Sequence, residues 1–387
     1  MTGGLTVELA RLITGQVFLH ASMAGMRLAT PLLALRHGYS EAAVGVLLAL
    51  FALTQVFLAL PAGRYADRHG LKRPFGFATI AAAAGCAMAV IWPVFPVLCV
   101  AALLTGGATG AASIALQRHV GRAAEGATQL RKVFSWLAIG PAFSNFLGPF
   151  AAGIAIDHGG FQLAFLLMAV LPLASWAWVR GTQELPPVPV PEGERPRPAW
   201  DLLRQTDFRR LLMVNWLLSS CWDVHTFVVP VLGHERGLSA SVIGTILGAF
   251  AVAAVVIRIL LPVLAAHVRE WAVITGAMAA TAALFCVYPL LGSAVAMGLC
   301  SVLLGMALGS VQPMIMSMLH QITPEHRHGQ AVGLRLMAIN ASSVAMPMLF
   351  GLAGATIGIA GVFWAVGAVV AGGTRMSVRL RDADPHS

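Results

Sequence analysis

Charged side chains are scarce in this chain. Lys, Arg, Asp and Glu make up 11% of its 387 residues, against a hydrophobic share of 58%. A soluble chain of this length carries about 25% charged residues, so a soluble enzyme with a large core is excluded. Acid is rarer still, with 16 Asp and Glu against 25 Lys and Arg. The formal charge of +9 would suit a nucleic-acid partner, but the bases gather in short stretches between apolar runs rather than over one surface. No nucleic-acid partner is expected. The five cysteines, Cys86, Cys99, Cys221, Cys286 and Cys300, all lie inside apolar runs without metal-ligand spacing. They predict small apolar fillers, with no disulfide framework and no metal. A phosphate-cradling Gly-x-x-x-x-Gly-Lys-Ser/Thr loop is missing as well, and no nucleophile-base pair can be argued from spacing. The expectation is a protein that is not an enzyme, needs no cofactor and draws energy from a gradient.

What the chain does have is long apolar runs, and its mean hydropathy is +0.80. A membrane-spanning helix needs about 20 mostly apolar residues. Twelve stretches qualify: 9-35, 40-62, 74-94, 97-117, 133-156, 161-180, 210-233, 239-266, 271-290, 293-319, 329-354 and 357-374. The first outlasts a signal-peptide core and lacks a cleavage site, so it is expected to stay as a spanning helix. Orientation follows from the bases. With both termini cytoplasmic, the flanks and loops on that side collect nearly every Lys and Arg, including Arg118, Arg122, Arg131 and Lys132 between the fourth and fifth stretches. Only Arg36 and Arg236 fall on the other side, and Arg27, Arg258 and Arg335 lie within helices. That asymmetry is the positive-inside pattern.

The chain reads as two halves. Residues 181-209 hold Pro186, Pro187, Pro189, Pro191, Pro196 and Pro198 and cannot span a bilayer. They form a cytoplasmic linker between residues 1-180 and 210-387, in which Trp200-Arg204 is predicted to make a short surface helix. Pro31, Gly38, Ser40, Gly45 and Phe51 recur as Pro230, Gly237, Ser239, Gly244 and Phe250, always 199 positions later; Pro149 and Gly153 recur as Pro347 and Gly351, 198 later. Duplicated halves with a midplane site between them are a common transporter plan.

One charged turn stands out, Gly63-Arg64-Tyr65-Ala66-Asp67-Arg68-His69-Gly70-Leu71-Lys72-Arg73. It resembles the Gly-x-x-x-Asp-Arg-x-Gly-x-Lys-Arg loop between helices two and three of major facilitator superfamily transporters. With twelve helices, a central linker and duplicated halves, the resemblance covers essentially the whole chain. It implies an all-α membrane protein of twelve transmembrane helices in two pseudo-symmetric six-helix bundles, in the cell inner membrane. Gly140-Pro141 and Gly148-Pro149-Phe150-Ala151-Ala152-Gly153 are similar to the helix-five motif of the superfamily's drug/proton antiporters. Ala101 and Ala102 stand where those antiporters usually carry an arginine, and Ala266 stands where the repeat would place the acid of a second charged turn.

The resemblance also implies roles. Asp67 would pair with a base or a helix N-terminus of the other half, Arg68 and Arg73 would shape the loop, and Gly63 and Gly70 would permit the turn. With Gly148, Pro149 and Gly153, these residues would form a conformational switch. Helices one, four, seven and ten would line the substrate cavity. Ionisable residues inside spans are functional candidates by default. His20 and Arg27 share a face of helix one, and under the repeat offset they correspond to Ser219 and Thr226, with Asp223 between them on helix seven. Thr109 on helix four, Gln312 on helix ten and Arg335 on helix eleven complete the expected substrate-binding set. Asp223 is the acid expected to exchange a proton. The alternative is that Arg27 and Asp223 form a structural ion pair. His225 sits about 200° round the helix from Asp223, by the 3.6-residue turn, and is not expected to share its cavity. Three buried arginines against one aspartate favour substrates bearing a carboxylate, phosphate or sulfonate. The expected partners are such a small molecule, protons and the lipid bilayer, with the chain acting as a monomer. Two transport modes stay open, proton-coupled export and anion import by symport or exchange; a non-transporting receptor or membrane enzyme is the remote third.

Overall fold

The computed structural model describes residues 3-186, 198-238, 240-264 and 268-383. The linker prolines from 187 to 196, Ser239 and Ala266 therefore lie outside the described residues. Eleven long helices follow one another: α1 Gly3–Arg36, α2 Glu41–His69, α3 Lys72–Ile91, α4 Phe95–Ala123, α5 Gly126–Leu137, α6 Ile139–Val179, α7 Thr206–Glu235, α8 Ala240–Leu264, α9 Glu270–Val287, α10 Ala294–Ile322 and α11 His328–Val378. Two contain a turn. Gly160 (φ 74°) divides α6, and Gly358 (φ 75°) divides α11. Only glycine adopts that backbone without a steric penalty, so each marks the return between two passes. Among the described residues the eleven helices, two of them divided, make thirteen helical segments, in an all-α membrane protein. Nine stretches among the described residues, from Val7–Arg36 to Thr356–Arg381, are long and apolar enough to cross a bilayer.

The helices outrun the apolar stretches at their charged ends. α2 continues through the charged turn to His69, because Tyr65, Ala66, Asp67 and Arg68 offer nothing to break it until Gly70 (φ 74°). The turn itself is then two residues long. α4 likewise runs to Ala123, which places Arg118 in a helix at 1% exposure rather than in a loop. The helix expected at 133-156 starts at Gly126 and breaks at Ala138, three residues before Pro141, whose missing N–H and ring clash disfavour a straight helix there. Ala199–Arg204 forms the expected short helical turn in the linker, as a 3-10 helix.

Two compact units result, and neither is a half of the sequence. One comprises residues 1-124, 139-199 and 324-341; the other comprises 125-138, 200-323 and 342-387. Each unit contains a helix start contributed by the other half, α5 in the second and the first turns of α11 in the first.

Within the units the repeat is visible as packing. In the first, Gly106 of α4 lies against the backbone of Phe51 on α2, and Gly110 lies against Gln55. In the second, Gly305 of α10 lies against the backbone of Phe250 on α8, and Gly309 lies against Ala254. All four pairs are related by the same 199 positions. Glycine at those points lets two helices touch backbone to backbone, which is how membrane helices gain contact without a hydrophobic drive. Gly305→Val would push a branched side chain into Phe250 and should cost about 1–3 kcal/mol. Gly298→Ala, at a helix position with open space around it, should be neutral or stabilising. Thermal unfolding in detergent checks the contrast.

Candidate functional site

The charged turn builds a polar centre inside the first unit. The Asp67 side chain is 6% exposed and accepts from Arg118 Nε at 2.7 Å. It also accepts from the backbone N–H groups of Gly329 (2.8 Å) and Gln330 (3.0 Å), in the first turn of α11. Arg118 donates again to the Asp67 carbonyl at 3.2 Å. A carboxylate belongs at a helix N-terminus, where orphan N–H groups and the helix dipole both favour it. Gly63, one turn before Asp67, meets Gly329 backbone to backbone, and Gly333 packs on Ala59. Beside them, Arg122 pairs with Glu325 at 2.8 Å.

Arg68 and Arg73 do not shape this turn. Both side chains are exposed and make no hydrogen bond or ion pair among the described residues. Glu184, at the start of the linker, does that work by accepting from the N–H groups of Leu71 and Lys72 at the start of α3. Gly70 faces the same carboxylate. Further along, Gly148 of α6 packs on the α1 backbone at Ala21 and Gly25, so its lack of a side chain matters, whereas Gly153 has open space around it and is not needed for close packing. Pro149, half-buried, lies inside α6 between them.

The expected binding residues divide between the units. In the first, His20 of α1 and Thr109 of α4 line one small cavity with Gln16, Ser113, Leu19, Phe75, Ala112 and Leu116. Gln16 Oε1 and His20 Nδ1 are buried there without a hydrogen-bond partner among the described residues. Thr109 turns its own hydroxyl back to the Thr105 carbonyl at 2.8 Å. Arg27 is exposed on α1 and has no hydrogen bond or ion pair among the described residues. Arg335, on α11, is buried at 1% exposure.

In the second unit, the Asp223 side chain is half-buried on α7 and accepts from Ser343 Oγ at 3.4 Å. Thr226 is exposed one turn on and donates to the Trp222 carbonyl at 3.0 Å. Gln312 is half-buried on α10. His225 faces away into packed core: it shares a hydrogen bond with Ser301 (2.9 Å), stacks on Phe250 (centroids 4.0 Å apart), and Ser301 also bonds Tyr288 (2.8 Å). Arg258 is tied to protein carbonyls, donating to Gly309 (3.2 Å) and Ala138 (3.1 Å), with Trp222 under its guanidinium. It caps the break between α5 and α6.

Sequence reasoning missed Arg118 and Gln16. Arg118 was read as a loop base because an apolar window ends at 117; the repeat offset, which sets it opposite Ser317, was the available signal. Gln16 lies one turn before His20 on the same face.

The family model described as Major Facilitator Superfamily matches residues 12–301 and 211–387. The tetracycline resistance protein, class B, of Escherichia coli is 32% identical over 144 residues, 36% of this chain and 35% of that protein. The match thus spans about a third of that relative's length. Among solved structures, the human organic anion transporter MFSD10 (TETRAN) superposes with a TM-score of 0.81 at 15% identity, covering 96% of this chain and 99% of that one. A bacterial homologue of the iron transporter ferroportin, in its outward-facing state, does so with 0.80 at 16%, covering 97% and 99%. At such identities the two structures speak for the fold alone.

Removing one partner of a buried ion pair strands the other charge. Arg118→Met should therefore destabilise the protein by about 3–5 kcal/mol, and adding Asp67→Asn should restore part of the loss. Melting temperatures of the single and double variants give the measurement.

Proposed function

Because this chain belongs to the Major Facilitator Superfamily, and is a membrane transporter rather than an enzyme, we propose that it exports small amphipathic or anionic organic compounds in exchange for protons. The observation that carries this reading is Arg27. An arginine at mid-span, exposed as a residue and without a counter-ion among the described residues, is costly against lipid and is stable where it meets water or an anionic group. It therefore marks the cavity face of α1, and His20 and Thr109 extend that face toward α4. Guanidinium pairs a carboxylate, phosphate or sulfonate with two parallel hydrogen bonds, so Arg27 holds the acidic group of the substrate. Arg335, in the same unit, supplies a further polar contact.

Asp223 is the coupling acid in this scheme. It is half-buried, and among the described residues its side chain is held by one long bond, from Ser343, which leaves it able to lose and regain a proton as access alternates. The halves rock around a midplane site, with Gly63, Asp67, Gly70, Gly148 and Pro149 as the switch. The protein sits in the inner membrane with both termini cytoplasmic, and works as a monomer. Export is favoured by the antiporter-like Gly140-Pro141 and Gly148-Pro149 pairs and by the resemblance to a tetracycline resistance protein. Anion import by symport is the second reading, since Arg27 would hold an imported anion equally well.

In proteoliposomes, an inside-alkaline pulse should drive substrate outward against its gradient; accumulation inside would instead establish symport. Asp223→Asn should abolish that proton-driven movement and leave passive counterflow intact. Arg27→Ala should weaken anion binding roughly ten- to hundredfold, the loss of one charged hydrogen-bond pair, with folding unchanged.

A further inference from the structure

The small cavity inside the first unit, between α1, α3 and α4, gathers hydrogen-bond acceptors with too little to satisfy them. Gln16, His20, Thr109 and Ser113 line it among apolar residues such as Phe75 and Leu116. Its free space, about 10 Å³, is that of one water molecule. Gln16 is 5% exposed, and its Oε1 is buried without a partner among the described residues. Gly140 of α6 makes room for that oxygen, since a β-carbon there would stand 2.9 Å from it. His20 Nδ1 is buried and unpartnered in the same way; with the ring proton on Nε2 it is a second acceptor. The Thr109 hydroxyl gives its proton to the Thr105 carbonyl at 2.8 Å, which leaves it only lone pairs to offer. Ser113 brings one hydroxyl proton, and one donor cannot serve three acceptors. Buried acceptors left unpaired are costly, so a group with N–H or O–H belongs here. A cation does not, because no carboxylate lines the cavity and Arg27 lies two turns along the same face of α1.

We propose that this notch receives one hydroxyl or amino group of the transported anion, with a water molecule holding its place in the empty protein. Seven residues of helix separate His20 from Arg27, a rise of about 10 Å. The substrate is then an amphipathic acid that carries a hydrogen-bond donor about 10 Å from its acid group. Arg27 pairs the acid, Gln16 and His20 accept from the donor, and the apolar frame between them lies along α1. The inference rests on the anion-binding role of Arg27 and adds a second point of recognition to it. A site built to bond a substrate hydroxyl or amine disfavours the analogue that lacks one, because its own polar atoms stay unpaired. Here a water can stand in for the missing group, which limits the discrimination to about one hydrogen bond.

Titration calorimetry of the full chain in lipid nanodiscs tests this with synthetic probes. A biphenyl carboxylate with a para hydroxyl on its far ring has the required span. It should bind roughly tenfold tighter than the unsubstituted biphenyl carboxylate, and the amino analogue should match it. The methoxy analogue, which can fill the notch but not donate, should gain nothing. Gln16→Met, close in size but without the acceptor, should shrink the hydroxyl preference to about twofold or less, and Gln16→Glu, which keeps an acceptor, should retain it. Should Gln16→Met fail to fold, His20→Phe is measured in its place with the same expectation. Equal binding of the hydroxyl and methoxy probes overturns the assignment; so does a hydroxyl preference that persists in a folded Gln16→Met or His20→Phe variant. The uncharged pair, hydroxybiphenyl and biphenyl, separates the two readings. A hydroxyl preference in that pair, with no gain from the carboxylate, leaves the notch standing and removes the role of Arg27. A gain from the carboxylate with no hydroxyl preference does the reverse, and no binding by any probe overturns both.

Discussion

The first unit depends on the satisfaction of one carboxylate. Asp67 has two oxygens shielded from water, and leaving either unpaired would cost a large part of a protein's net stability. Arg118 Nε and the Gly329 N–H take one oxygen, while the Gln330 N–H takes the other. Three segments far apart in sequence are therefore assembled around a single side chain. The glycine contact at Gly63 and Gly329 is a condition of that assembly, since a β-carbon on either would hold the carboxylate away from the N–H groups.

Much of the fold was legible beforehand, because the bilayer restricts the possibilities. Backbone groups in hydrocarbon must bond within their own segment, so apolar run length alone reveals the helices, and the side on which bases collect suggests orientation. The Pro-Gly-Ser register at 199 positions revealed the duplication, and Phe51 and Phe250 proved to be the residues on which the glycines of α4 and α10 rest. The helix ends were less legible. Hydropathy stops at the first charge, but a helix stops only at a residue that breaks it, so α2, α4 and α5 carry their charged residues on helical backbone. Arg118 and Arg131 look like solvated loop bases in sequence, and are among the best buried arginines in the chain.

The site was legible one residue at a time rather than as a set. Periodicity put His20 and Thr109 on faces that share a cavity, and it put His225 on the far face from Asp223, where it packs with Ser301 and Phe250. Sequence had no means to tell that Arg258 is committed to two carbonyls while Arg27 is not. Both are lone arginines in apolar runs, and only the placement of Gly309 and Ala138 separates them. The glycines of the antiporter-like motif show the same limit, with Gly148 pressed on α1 and Gly153 in open space, though they lie one and a half turns apart on the same helix.

The exchange of helix starts between the units bears on how the protein is made. A ribosome delivers the chain from one end, and the first unit draws its last segment from residues 324-341. Until those residues emerge, Gly63 lacks its helix partner and Asp67 has only Arg118. Residues 125-138, meanwhile, wait for α8, α9 and α10 to be synthesised. Membrane insertion can proceed helix by helix, yet neither unit can close until the chain is nearly complete. The final packing is thus a late event, and until then the Asp67 carboxylate lacks its two backbone donors from α11.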